Sequence, residues 1–242
     1  MKNKKLLNYS DYLQLEKILS GQELMSAKRG TPAHDEMLFI IVHQVYELWF
    51  KQILHELDSV ITIFKKESIV ESEISFVVLR LQRIIEIQKI LIDQIRVLET
   101  MTAMDFLEFR DDLFPSSGFQ SAQFRLMENK LGLLNDHRIM YGGKDYTSVI
   151  KEQEKSAVKS SEEEKSLFEL LESWLERTPF LSFKGSLLYI PSTFVALIIN
   201  LQSNSDALKV AAVSVEKNGL PVPAANITIL FLSKCLIALL LI

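Results

Sequence analysis

Apolar residues recur at three- and four-residue spacing through the first 183 positions of this chain, the period of helices that bury one face. Helical segments follow from that pattern in chain order. Ser10 to about Ser20 is short and amphipathic, with Tyr12, Leu13, Leu15, Ile18 and Leu19 apolar. About Asp35 to Lys66 is long and apolar almost all round through Phe50, which predicts a helix buried in the middle of a helical protein. About Glu73 to Glu99 carries Ile74, Val77, Leu81, Ile84, Leu91 and Leu98 at mixed spacing. Thr102 and Asp105 have capping-box spacing, and Pro115 to Gln120 breaks the helix they open. Ser117 and Gln120 have the same spacing and start another helix, running to about Gly132. Residues 135–160 are polar, are interrupted by Gly142-Gly143, and read as a surface excursion. Ser161-Glu162-Glu163-Glu164 then reads as a capping box for a helix carrying Leu167, Phe168, Leu170, Leu171, Trp174 and Leu175, ended by Thr178-Pro179. There is no internal repeat and no strand–helix–strand pattern in this region, so the expected fold class is all-α.

The character changes after Lys184. The last 59 residues hold six charged side chains and no histidine or tryptophan. Residues 1–180 are therefore expected to form one helical domain, and 181–242 a divergent apolar tail. The closing run from Ile227 to Ile242 is interrupted by Lys234 and is short for a membrane span, which needs about 20 apolar residues. A tail anchor is the membrane alternative to an unrelated tail. Asn226-Ile227-Thr228 matches a glycosylation site, but no apolar run follows the basic N-terminus, so no secretory signal is expected.

Composition narrows the function. A net charge of −4 and the lack of a basic face with interleaved aromatics argue against a nucleic-acid partner. The single cysteine, Cys235, excludes an intrachain disulfide framework and fits a reducing, cytoplasmic setting. The singular chemical feature is His43, an imidazole inside the apolar stretch from Met37 to Phe50. At helical spacing Phe39, Glu47 and Phe50 share its face. A buried ionisable ring needs a partner from the protein or from a ligand. His43 and Glu47 have the i, i+4 spacing of a metal pair, but no second His/Glu pair completes a set, so no metal site is assigned. His34, His55 and His137 read as structural or solvent-facing.

Three ordered strings carry a resemblance. They are Tyr9-Ser10-Asp11-Tyr12-Leu13 with Leu15-Glu16-Lys17 and Gln22; HDEMLFIIVHQVYELWFKQIL from His34 to Leu54; and LETMTAMDFLEFRDDLFPSSGFQSAQFRLMENKLGL from Leu98 to Leu133. Together with LLESWLERTP they resemble the haem-dependent tryptophan 2,3-dioxygenases over about residues 6–180. The resemblance implies the all-α dioxygenase fold, haem b as cofactor and a homotetramer. It also implies an oxidoreductase that inserts O2 across the indole C2–C3 bond of L-tryptophan, giving N-formylkynurenine, the first step of the kynurenine route.

Residue by residue, the resemblance implies that His43 accepts the indole N–H and that Phe39 packs on the substrate, with Ile40, Ile41 and Val42 lining the same stretch. It implies that Arg110 clamps the substrate carboxylate and that Phe106 forms a pocket wall. Ser117 and Gly118 match a loop beside the haem, and Tyr9 and Tyr12 match tyrosines that reach a neighbouring subunit's site. Elementary chemistry agrees: a guanidinium binds a carboxylate bidentately, and a neutral imidazole accepts an N–H without adding charge.

The chain also departs from the pattern. The family's proximal iron ligand is a histidine in its C-terminal half, where a GTGGSSG-type segment closes over the substrate. Here the last histidine is His137, and only Gly185 and Gly219 follow Gly143. His34 and His55 are nine and twelve residues from His43, about 13 and 18 Å along a helix axis. The expectation is a chain truncated, alternatively spliced or mis-assembled after about Phe183. Such a chain lacks the axial histidine and is either the portion of an enzyme or a catalytically silent oligomerisation partner.

Overall fold

The computed structural model describes residues 6–133 and 145–177; it is helical, with no strand among the described residues. These residues form two compact units. One contains residues 6–45 and 96–116, the other 46–95, 117–133 and 145–177.

The first unit opens with two short helices, α1 (Tyr9–Leu13) and α2 (Leu15–Leu19), neither of which buries a residue. The single helix expected from Ser10 to Ser20 is interrupted because Gln14 takes a left-handed conformation, φ 53°, and its N–H turns back to the carbonyls of Asp11 and Ser10. A third helix, α3 (Met25–Arg29), was not expected and ends on Gly30. Its leading residue Leu24 offers no capping side chain. The cap comes from eleven residues downstream: the buried Glu36 carboxylate accepts the Met25 N–H at 2.7 Å and the Ser26 N–H at 3.0 Å. Ser26 Oγ also donates to Glu36 and accepts the Ala33 N–H.

Glu36 begins α4 (Glu36–Phe64), close to the expected span. Its residues up to Val45 belong to the first unit. The helix is not buried all round: Val42 is buried, whereas Ile41 and Leu48 are exposed. The unit closes with the end of α5 (Glu71–Leu98), α6 (Ala103–Leu107) and a 3-10 turn, Arg110–Leu113. The Thr102–Asp105 capping box forms as expected. The helix it opens lasts only five residues before the 3-10 turn.

In the second unit α4 buries Tyr46, Phe50, Ile53, Leu57, Val60, Ile61 and Phe64, a stripe at three- and four-residue spacing. α5 answers with Val77, Ile84, Ile87 and Leu91, and the Tyr46 hydroxyl donates to the Leu91 carbonyl at 2.5 Å. The Ser117–Gln120 capping box also forms, but around one 3-10 turn, Gly118–Gln120. Ser121 is the true N-cap of α7 (Ala122–Leu131).

Two expectations fail here. The stretch read as a surface excursion, as far as it is described, contains a 3-10 turn, Tyr146–Val149, and α8 (Glu152–Glu163). Tyr146, Ile150 and Val158 form a buried cluster against Ala122 and Leu126. Ser161 does not start a helix. It lies in the last turn of α8, where its hydroxyl donates to the Val158 carbonyl and accepts from Asn129. The cap of α9 (Leu167–Arg177) is Ser166, whose hydroxyl accepts the Glu169 N–H while Glu169 accepts the Ser166 N–H at 2.8 Å. His137, Gly142-Gly143, Thr178-Pro179 and the tail from 181 lie outside the described residues. No described helix is long and apolar enough to cross a membrane.

Candidate functional site

One turn of α4 separates Phe39 from His43, so the two rings share a face, with centroids 4.1 Å apart. His43 Nδ1 lies 2.7 Å from the Phe39 carbonyl oxygen. A carbonyl only accepts, so in the neutral ring Nδ1 carries the proton and Nε2 carries the lone pair.

The α6 segment brings up the remaining wall. Thr102 Oγ1 accepts the Asp105 N–H, and the Asp105 carboxylate accepts the Thr102 N–H at 2.9 Å. The Thr102 hydroxyl also donates to the Asp105 carboxylate at 2.5 Å, and this bond first, then the one from the Thr102 N–H, holds the Asp105 carboxyl below the usual carboxylate range. The anchored turn projects Phe106 towards Phe39, centroids 5.8 Å apart. Phe109 packs edge-on against both, 5.6 Å from Phe39 and 5.4 Å from Phe106. The result is an aromatic cluster with one imidazole on it.

Phe109 is fully buried and was missed in the sequence. The available signal was its i+3 spacing from Phe106, which stacks the two side chains when the backbone tightens towards a 3-10 turn. Arg110 follows immediately. It is exposed and has no hydrogen-bond or ion-pair partner among the described residues, neither Glu108 nor Asp111. An unpaired guanidinium one residue beyond a buried aromatic is suited to an anionic ligand group.

The other sequence candidates are distributed differently. Ile40 is half-buried, Val42 is buried, and Ile41 is exposed, two residues from His43 and so turned to the far side of the helix. Tyr9 and Tyr12 are exposed on α1. Ser117 and Gly118 belong to the second unit and are half-buried. Ser117 Oγ accepts the Phe119 N–H, and Ser117 N–H donates to Gln120 Oε1. Behind this turn the buried Arg125 lies within 6 Å of the ring centres of Phe119, Phe124 and Tyr146 and pairs with Glu128 at 2.8 Å. Glu47, the other half of the conceivable metal pair, accepts from Gln123 at 2.7 Å, and no metal-binding group of three ligands occurs among the described residues.

The described residues are helical and pack an imidazole against an aromatic cluster, with an exposed arginine next in sequence to the cluster's buried member, Phe109. The family model described as tryptophan 2,3-dioxygenase matches residues 2–206, and the chain belongs to that family. Relatives with that name are 53% identical over 177 residues in Dictyostelium discoideum, 52% over 173 in Alteromonas mediterranea and 53% over 180 in Xenopus tropicalis. These matches cover 73%, 72% and 74% of this chain but 44%, 48% and 44% of the relatives. The chain therefore spans just under half the length of the curated relatives it matches. The family match reaches past residue 180, where the resemblance was expected to end.

Proposed function

We propose that this chain supplies the substrate-side wall of a tryptophan dioxygenase site. The observation that carries the proposal is His43, held by the Phe39 carbonyl against the Phe39–Phe106–Phe109 cluster, with Arg110 next in sequence to Phe109. In this reading the indole lies against Phe39 and Phe106, its N–H donates to His43 Nε2, and Arg110 binds the carboxylate. The neutral imidazole orients the ring without placing a charge beside the reacting carbons. Tyr9 and Tyr12 on the exposed α1 reach a second copy of the chain, in a homotetramer. The reaction served is addition of O2 across the indole C2–C3 bond to give N-formylkynurenine, at the head of the kynurenine route and in the cytoplasm.

The family's haem would supply oxygen activation, and it needs a strong axial ligand on the face away from O2. The 242 residues contain four histidines. His43 is held by Phe39, His34 and His55 are exposed, and His137 is outside the described residues. These residues do not fit a complete haem site. They fit one wall; Ser117 and Gly118 are assigned to a haem-side loop on the family resemblance alone, and none of the described histidines is assigned to hold the haem. The same histidine count favours a second reading, that the 242 residues on their own are a silent partner in an oligomer.

Arg110→Leu tests the wall directly. Residues 1–242 should bind L-tryptophan about tenfold more tightly than tryptamine, which lacks the carboxylate, as expected for one charge-assisted contact at an exposed arginine. The variant should lose that preference and keep tryptamine binding, measured by calorimetric titration. Equal losses on both ligands would refute the carboxylate role.

A further inference from the structure

Arg29, at the far end of α3, touches the chain on both sides of Arg110. Arg29 Nη2 donates to the Glu108 carbonyl at 2.9 Å, and Nη1 lies 3.2 Å from Asp112 Oδ2. The latter is an ion-pair contact with an angle unsuited to a hydrogen bond. Nε donates to Thr31 Oγ1 at 3.0 Å, which orients the guanidinium plane. One planar group therefore ties the backbone two residues before Arg110 and the side chain two residues after it. The segment needs such a tie. A 3-10 turn of four residues has few internal hydrogen bonds, and those have poor geometry. Asp112 is also mostly buried, which makes its pairing count for more than that of a surface carboxylate.

The other end of α3 is fastened to the start of α4. Glu36, three residues before Phe39, accepts from the N–H groups of Met25 and Ser26. α3 thus links both halves of the candidate wall: Glu36 and the helix that carries His43 at one end, the Arg110 turn at the other. We propose that α3 is a strut and that Arg29 is a positioning residue for Arg110, setting the geometry with which the chain recognises a ligand carboxylate. The proposal rests on the reading of Arg110 given above, and two separate measurements on residues 1–242 distinguish their failures.

The strut is read by amide hydrogen exchange. Arg29→Gln keeps a polar side chain at a half-exposed position but removes the charge and the fork. It should speed exchange of residues 108–116, including the Asp112 N–H that donates to the Phe109 carbonyl at 3.0 Å, by about tenfold, with α5 unchanged. Arg29→Lys, which reaches one of the two ties, should recover part of the protection. Unchanged exchange at 108–116, or equal acceleration in α5, overturns the strut.

Positioning is read by the tryptophan-to-tryptamine affinity ratio in a double-variant comparison. Arg29→Gln should lower the ratio as Arg110→Leu does, and the two together should be no worse than Arg110→Leu alone. A loss equal on both ligands, or one that adds to Arg110→Leu, overturns the positioning role. A wild-type chain without preference for tryptophan refutes the reading of Arg110 and the positioning role with it, while the exchange result still decides the strut.

Discussion

Gly132 shows how tightly single residues are constrained. It closes α7 at φ 95°, a left-handed conformation that glycine takes without steric cost. Its N–H reaches the carbonyls of Asn129 and Glu128, and the Leu133 N–H also reaches Glu128. A Cβ at this position would stand 3.0 Å from Ser166 Oγ and 3.2 Å from Phe168 Cβ. Gly132→Ala therefore meets an unfavourable backbone angle and the residue that caps α9 at once. It should cost about 1–3 kcal/mol, read as a fall in the denaturant midpoint with unchanged slope. At the same scale His43, Phe39, Phe106 and Arg110 were marked as candidates because a resemblance singled them out, His43 also as a lone imidazole among apolar neighbours. Arg29 and Glu36 were not. Apart from Thr31 beside Arg29, their partners lie 10 to 83 positions away and leave no periodic trace. A charged residue that braces a turn looks in sequence like any surface charge.

At the scale of elements, legibility followed length. α4 and α5 run for 29 and 28 residues, enough turns for the hydrophobic period to define them. The five-residue helices and 3-10 turns carry too few residues for a period, and only their caps betray them. Thr102–Asp105 did so correctly. Ser161 and Ser166 both precede a glutamate at i+3, and tertiary bonds decide between them: Ser161 is committed to Asn129 and Val158, which leaves Ser166 to start α9. That choice has a pH signature. The Ser166 hydroxyl first, and then the Ser166 N–H, hold the Glu169 carboxyl below its ordinary 4.5. A depressed folded-state value means that the contribution is fully present above about 4.5 and is lost as pH falls through the lowered value. Acid should therefore loosen the first turn of α9 before the middle of α4 and α5. Amide exchange of residues 166–170 between pH 6 and pH 3 should show this, and Glu169→Gln should flatten the dependence. A variant with the same pH profile as wild type would assign the loosening to another group. Glu169 is largely solvated, so the effect is local and small beside global stability.

At the scale of the whole molecule, the all-α class was readable because no strand pattern competed with the helical period, and family membership followed from long ordered strings. What lay beyond reach was the division of α4 between two compact units, since a continuous helix gives no sign of it in sequence. The molecule also shows apolar surface at Leu6, Leu7, Tyr9, Tyr12, Ile41, Leu48 and Phe114. The histidine inventory adds the functional consequence. An imidazole would have to hold the family's haem, and His43 is assigned to the substrate in the reading proposed here. Residues 1–242, expressed alone and supplied with haemin, should show less than one haem per chain in the Soret region and no N-formylkynurenine from L-tryptophan. On the proposal that His43 orients substrate and does not bind iron, His43→Ser should leave that residual haem signal unchanged. Stoichiometric haem with turnover would refute the one-wall reading and require an iron ligand among these residues. Loss of the haem signal in His43→Ser would identify that ligand as His43 itself.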